Sequence, residues 1–356
     1  MKKNLLTAIM LLSTIALTAQ INIISTSFYS EALDETKMVN VFLPPGYDAN
    51  PDLHYPVIYY LHGWQGSQNE GNGLMNTAYT MINQGLIEPV IIVCAHNSPA
   101  PFGGSVYTNS ILWGDYETYM TEDLCNWVEA TYRAMPGKQY RAVFGMSMGG
   151  YGAFRYGILH NDKYCALAAC AAPVSFLEDN MRTQFRQMIL QANQPGPPYT
   201  YNFTTGGPFT QIYFLYYGAF VPNYNTPQTY INPAILEFPL DENGNYIDTI
   251  LAKVMPHDIA SLINQLTPES SPGIYFGCGT NDPFFLYPGN MDVKDSLDLY
   301  SIPYTFYSHG GGHIMPAEFT ENAFMFLDSL LMPPVIPCSC LPQGITFTSQ
   351  AQIDNF

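Results

Sequence analysis

Three runs of consecutive apolar residues constrain this chain more than any other feature: Pro56-Val-Ile-Tyr-Tyr-Leu61, Pro89-Val-Ile-Ile-Val-Cys94 and Arg141-Ala-Val-Phe144. A strand with one face in water alternates apolar and polar residues. A run with no polar side must be covered on both faces, which is the condition of a strand inside a parallel sheet. Cys165 to Ala171, Gly273 to Cys278 and Tyr304 to Tyr307 add three further strands. Met38 to Leu43 instead alternates like a half-buried strand and stops at Pro44-Pro45-Gly46. Helical periodicity lies between the runs. Tyr116 to Tyr132 sets Met120, Leu124, Trp127 and Val128 on one side, a glycine-rich stretch continues to about His160, and Pro316 to Leu331 is amphipathic. Strands alternating with helices predict an α/β chain, a mostly parallel central sheet flanked by helices, in one domain over residues 20–332.

Two segments break that rhythm. Residues 178–268 are rich in proline and aromatics (Pro195, Pro197, Pro198, Tyr199, Tyr201, Phe203, Phe214, Tyr216) and read as a lid insertion, since long loops in compact domains are usually functional. The aromatics have two readings, a platform that stacks a substrate ring or the insertion's own core. Within it, Asp241-Glu-Asn-Gly-Asn245 resembles a calcium loop, but Tyr246 stands where that loop needs its glycine. Asn243-Gly244 is therefore read as a tight turn. Pro333-Pro-Val-Ile-Pro-Cys-Ser-Cys340 ends the domain as a linker covering the start of residues 333–356.

The amino terminus predicts a destination. Met1-Lys2-Lys3 followed by the uncharged apolar run Leu5 to Thr18 has the form of a secretory signal peptide over residues 1–19, cleaved between Ala19 and Gln20. A secreted or periplasmic protein follows, with no later stretch apolar enough to span a membrane. The 356 residues are 47% hydrophobic and 12% charged, which excludes a disordered chain. With 12 Lys and Arg against 29 Asp and Glu, the formal charge is −17, and a nucleic-acid partner is excluded for want of clustered cations. Seven cysteines leave at least one thiol unpaired. Cys94, Cys165, Cys170 and Cys278 sit in apolar runs and read as buried free thiols.

The chemistry rests on Gly145-Met146-Ser147-Met148-Gly149, a G-x-S-x-G pentapeptide placed between a buried strand and a helix. That context is the one a nucleophile elbow requires: the serine sits on a strained turn, and small residues two before and two after let strand and helix approach. A serine acting on an acyl group needs oxyanion donors, a base and an orienting acid. Leu61-His62-Gly63-Trp64 follows a strand and can turn the N–H of Trp64 toward the spot addressed by the N–H of Met148. Asp282, in Gly277-Cys-Gly-Thr-Asn-Asp282, follows another strand, at the carboxyl edge where open α/β sheets place their sites. Ser308-His309-Gly-Gly-Gly-His313 follows the last. His309 and His313 compete for the base. His313 is preferred because its glycine loop can reach back to Ser147, and the order Ser147, Asp282, His313 is that of an α/β-hydrolase. A metal site on His309 and His313 fails, since three intervening glycines do not hold both on one helical face. His62 reads as shaping its own loop, and His54, His96, His160 and His257 as surface or satisfied histidines.

Four segments carry a resemblance: Tyr55 to Gly63, Gly114-Asp-Tyr-Glu-Thr-Tyr119, Arg141 to Gly152 and Gly310-Gly-Gly-His313. They resemble the esterase D / feruloyl esterase group of α/β-hydrolases, which also holds acetylxylan esterases, S-formylglutathione hydrolases and the antigen 85 mycolyltransferases. The resemblance covers most of residues 22–332, weakest across the lid. It implies an α/β-hydrolase fold and a cofactor-free serine esterase in which Ser147, Asp282 and His313 match the triad and Trp64 and Met148 the oxyanion positions. The implied partner is an ester substrate, with acetyl or feruloyl groups on plant polysaccharide favoured by secretion. An acyltransferase, and a binding module that kept the fold without the chemistry, are the other readings. Two departures, Ile314-Met315-Pro316 after the histidine and His96-Asn97 after the fourth strand, bear on the substrate rather than the chemistry. The tail from Cys340 to Phe356 resembles the opening of a repeat module of large secreted bacterial proteins, implying a truncated sequence.

Overall fold

The computed structural model describes residues 21–223 and 235–337. Eight strands form one sheet: β1 (Asn22–Ser30), β2 (Glu35–Leu43), β3 (Val57–Leu61), β4 (Ile91–Ala95), β5 (Arg141–Met146), β6 (Ala166–Cys170), β7 (Gly273–Gly279) and β8 (Thr305–His309). Their spatial order is β1-β2-β4-β3-β5-β6-β7-β8. The amino-terminal hairpin pairs antiparallel, β2 meets β4 antiparallel, and every contact from β4 onward is parallel. The runs without a polar face behave as expected. All five residues of β3, of β4 and of β6 are buried, each large apolar side chain contributing roughly 1.5–3 kcal/mol relative to exposure.

Helices cover the sheet: α1 (Gly71–Asn83), α2 (Leu124–Thr131), α3 (Met148–Leu159), α4 (Asp179–Ala192), α5 (Gly207–Phe220), α6 (Asp248–Val254), α7 (Leu286–Leu299) and α8 (Ala317–Asp328). The periodicity that predicts one helix over Tyr116 to Tyr132 meets a break. A helical turn at Tyr116–Thr118 passes through a π-helical turn at Tyr119–Asp123 before α2 begins. Met120, Leu124 and Val128 still face the core. The wide turn also presents Asp123 to the end of β1, whose Ser30 hydroxyl donates to it at 2.6 Å, and the Ala32 N–H in the turn that follows donates at 2.9 Å.

The segment over residues 178–268 carries α4, α5 and α6 rather than irregular chain. Helix α5 is apolar all round, and Tyr213, Phe214, Leu215, Tyr216, Tyr217 and Phe220 are all buried in it. Phe185 of α4 stacks on Tyr213, and Tyr201 on Phe238, so most of these aromatics form the segment's own core. The Asp241 turn closes through Gly244 N–H to Asp241 O at 2.9 Å, with Gly244 at φ +80°. Cys94, Cys125, Cys170 and Cys278 are buried free thiols, and Cys165 is a half-buried one. Residues 1–20, which include the expected signal peptide, residues 224–234, Cys338 and Cys340 lie outside the described residues. Among the described residues no helix is long and apolar enough to cross a membrane.

Candidate active site

Strand order decides where the chemistry meets. β3, β5, β6, β7 and β8 lie side by side and parallel, so the loops leaving their carboxyl ends share one edge. Ser147 leaves β5, the His62-Gly63-Trp64 loop leaves its neighbour β3, Asp282 follows β7 and His313 follows β8.

Ser147 stands at φ 56°, ψ −122°, in a region that a residue with a side chain occupies only at a cost of about 1–3 kcal/mol. Two glycines make the turn possible. A Cβ on Gly145 would lie 2.1 Å from the Gly149 carbonyl oxygen, and one on Gly149 would lie 1.8 Å from the Leu61 oxygen. Strand and helix touch backbone to backbone, as the sequence pattern requires. Tyr151 N–H donates to Ser147 O at 3.1 Å as α3 begins. The N–H groups of Met148 to Gly150 precede that bond, so the positive end of the helix lies directly behind the serine.

Asp282 and His313 meet. Nδ1 of His313 is 2.7 Å from Oδ2 of Asp282, whose carboxyl is fully enclosed. The other carboxylate oxygen accepts the Phe284 N–H at 2.8 Å, and the Phe284 ring packs edge-on against the imidazole. One face of His313 is thereby set by apolar contact and its orientation by the carboxylate. His309 takes a different place. Its Nδ1 accepts the Gly311 N–H at 3.1 Å and its buried Nε2 has no protein partner. Of the two histidines left open by sequence, only His313 touches Asp282.

The loop after β3 is held by His62. This fully buried imidazole has Nδ1 2.8 Å from Gly63 O, while its Nε2 accepts the Asn97 N–H at 2.8 Å. Accepting at Nε2 requires the neutral ring. Burial pushes its pKa down to about 4, with the nearby His96 adding in the same direction. The position of a Gly63 Cβ would be 3.7 Å from Ser147 Cβ, so the loop runs beside the nucleophile. The Trp64 indole donates to Phe102 O at 2.7 Å. Its backbone N–H has no acceptor among the described residues, as an oxyanion donor requires.

Ser147, His313, Gly63, Trp64, Glu70 and Met148 line a cavity of about 310 Å³. Its far walls are apolar, with Phe185 from α4, Ile212, Leu215 and Tyr216 from α5, Phe284 from the loop after β7 and Leu286 from the start of α7. Among the described residues no lysine or arginine lines it.

Two groups of residues escaped the sequence reading. Glu70 faces this cavity from the turn before α1, with no sequence signal beyond lying downstream of His62-Gly63. Glu117 lies in the quoted Gly114–Tyr119 segment, but its role became visible only from its partners. Its carboxylate is paired with Arg155 at 2.9 Å and His160 Nε2 at 2.8 Å, both on the helix behind Ser147. Burial acts to raise its pKa, but the His160 hydrogen bond and the Arg155 charge outweigh it and hold the carboxyl below the ordinary value. His96 and His257, expected to be satisfied, each keep a buried Nδ1 without a partner.

An elbow serine, a histidine–carboxylate pair and a sheet of this order define a serine hydrolase of the α/β-hydrolase fold. Comparison narrows the class. The family model described as putative esterase matches residues 30–293, and the chain belongs to that family. An esterase of Mycobacterium tuberculosis strain H37Rv is 28% identical over 152 residues, 43% of this chain and 32% of that protein. An endo-1,4-beta-xylanase/feruloyl esterase of Xylanibacter ruminicola is 29% identical over 139 residues, 36% of this chain and 18% of that protein. The alignments thus span about a third or less of these relatives' own lengths. Among solved structures, a ferulic acid esterase superposes with a TM-score of 0.60 at 20% identity, covering 88% of this chain and all of that one, a likeness of fold.

Proposed function

We propose that this chain is a secreted esterase that works through an acyl-enzyme on Ser147. His313 takes the proton of Ser147 Oγ as the oxygen attacks the ester carbonyl, Asp282 holds the imidazole, and the N–H groups of Trp64 and Met148 receive the oxyanion. The alcohol leaves with the proton from His313, and water then attacks the acyl-enzyme by the same route in reverse. The observation that carries this reading is the 2.7 Å contact of His313 with Asp282, His313 lining the same cavity as Ser147.

The substrates we propose are acetyl or feruloyl esters of neutral polysaccharide. Three things support them: an apolar, partly aromatic wall for the acyl group, the absence of any lysine or arginine from the cavity lining among the described residues, and the feruloyl esterase named among the relatives. The test is labelling by a fluorophosphonate probe together with a panel of acetyl, butyryl and feruloyl esters and acetylated xylan. The wild type should label and turn over at least one of them, and Ser147→Ala should do neither. A wild type that neither labels nor turns over any ester would leave a binding module, and acyl transfer to an added sugar in preference to water would leave a transferase.

A further inference from the structure

The peptide between Gly63 and Trp64 carries the proposed oxyanion donor, and its orientation is set from outside the triad. A planar peptide points its C=O and its N–H in opposite directions. Gly63 O is held by His62 Nδ1 at 2.8 Å and by the Gly66 N–H at 3.1 Å, so the Trp64 N–H must point the other way. The preceding peptide is tied as well. Gly63 N–H is shared between the two carboxylate oxygens of Glu70, at 3.0 and 3.1 Å. Glu70 Oε1 also accepts the Tyr60 hydroxyl, at 3.1 Å, from β3 itself. Glu70 thus clasps the loop across seven residues to the strand from which it springs.

A carboxylate is an unexpected group to find here. It lines the same cavity as Ser147 and His313. Negative charge close to a developing oxyanion opposes the reaction unless it is engaged elsewhere. Glu70 is engaged by two donors, both belonging to the segment Tyr60–Gly63.

We infer that Glu70 is a positioning residue for the oxyanion site: it fixes the N–H end of Gly63, while His62 and the Gly66 N–H fix its carbonyl, and together they set the direction of the Trp64 N–H. The inference rests on the esterase reading above. Loss of the clasp lets the Gly63 backbone turn, and small displacements of a catalytic dipole cost far more in turnover than in binding. The side chain's length matters, because it must reach from the turn before α1 back to β3. Its charge does not.

Three variants test this: Glu70→Ala, Glu70→Asp and Glu70→Gln, assayed on p-nitrophenyl acetate. Glu70→Ala and Glu70→Asp should lower kcat by about 10- to 100-fold with KM changed less than about threefold. Glu70→Gln keeps an acceptor oxygen at the right length and should stay within about fivefold of wild type. A tetrahedral mimic, a boronic acid or trifluoromethyl ketone, should weaken in step with kcat/KM across the series. The inference is overturned by Glu70→Ala or Glu70→Asp with wild-type kcat, by a change confined to KM, or by Glu70→Gln falling as far as Glu70→Ala. Should Glu70→Ala not fold, the Asp and Gln pair carries the same comparison. A wild type that neither labels with fluorophosphonate nor turns over any ester defeats the esterase reading instead, before any variant is measured.

Discussion

Oδ2 of Asp282 and Nδ1 of His313 stand 2.7 Å apart although 30 residues separate them in sequence, and the carboxyl has no contact with solvent. A carboxylate so placed stabilises the imidazolium that forms when the base takes a proton, and keeps Nε2 free to face the serine. Asp282→Asn presents an amide of the same shape and selects the wrong tautomer. We expect kcat to fall about 10⁴-fold with the protein still folded. His313→Gln should lose activity to a similar extent, whereas His309→Gln should keep most of it. Steady-state kinetics on a p-nitrophenyl ester decide the matter, and loss of activity on replacing His309 alone would reverse the assignment of the base.

Phe185 divides the acyl wall from the space behind it. The ring lines the catalytic cavity and also a small apolar cavity bounded by Phe176, Met181 and Tyr217. Phe185→Ala should merge the two and shift preference toward longer acyl chains, raising the octanoyl-to-butyryl ratio of kcat/KM by about tenfold, the size expected from a few methylenes gaining apolar cover. The substitution should also destabilise the fold by about 3–5 kcal/mol, because Phe185 is buried. An unchanged chain-length profile in folded variant would show that the acyl group lies elsewhere.

Glu117 braces the helix that carries the nucleophile. Its carboxylate and the Arg155 guanidinium are both largely shielded from water. Removing the acid leaves a buried arginine without its counter-charge, so Glu117→Ala should cost about 3–5 kcal/mol in urea unfolding. Catalysis at saturating substrate, measured well below the new midpoint, should change much less than stability. An equal loss of kcat would mean that Glu117 acts on the site itself.

Acid should weaken the fold through two buried histidines. Burial lowers His62 to a pKa of about 4, and burial together with the Arg155 charge lowers His257 to about 4. Both rings are neutral in the folded protein at pH values where the unfolded chain already binds protons. Their share of stability is therefore complete above about pH 6.5 and is lost as pH falls toward 4. For the fully buried His62 the loss amounts to roughly 3 kcal/mol; for the less buried His257 it is smaller. His257 stacks on Phe220, so His257→Phe keeps the ring contact and removes the titration. Urea midpoints at pH 7.5 and pH 4.5 should lie closer together in that variant than in wild type.

Much of the molecule can be read from local pattern because each element is dictated by its own neighbours. The runs at Val57–Leu61 and Ile91–Ala95 have no polar side, so they had to be interior strands. The elbow at Ser147 is legible because crowding of α3 against β5 at position 145 and against the end of β3 at position 149 admits only glycine at either. The helices α4 and α5 were not legible. Proline and aromatic residues weaken helical periodicity, and α5, apolar all round, offers no polar face to mark its phase. Glu70 and Glu117 were hidden for another reason. Their meaning lies in partners brought in by folding, and nothing in the residues beside them announces Gly63, Arg155 or His160.

The sequence alone determined the kind of sheet, the position of the nucleophile and the chain order in which a carboxylate and a histidine follow it, because these depend on alternation, side-chain volume and backbone sterics within a few residues. Only the tertiary structure decided that His313 rather than His309 meets Asp282, which walls close the cavity beside Ser147 and what holds the loop next to it. Those are distances between segments far apart in the chain, set by packing across the whole sheet, and local composition does not encode them one by one.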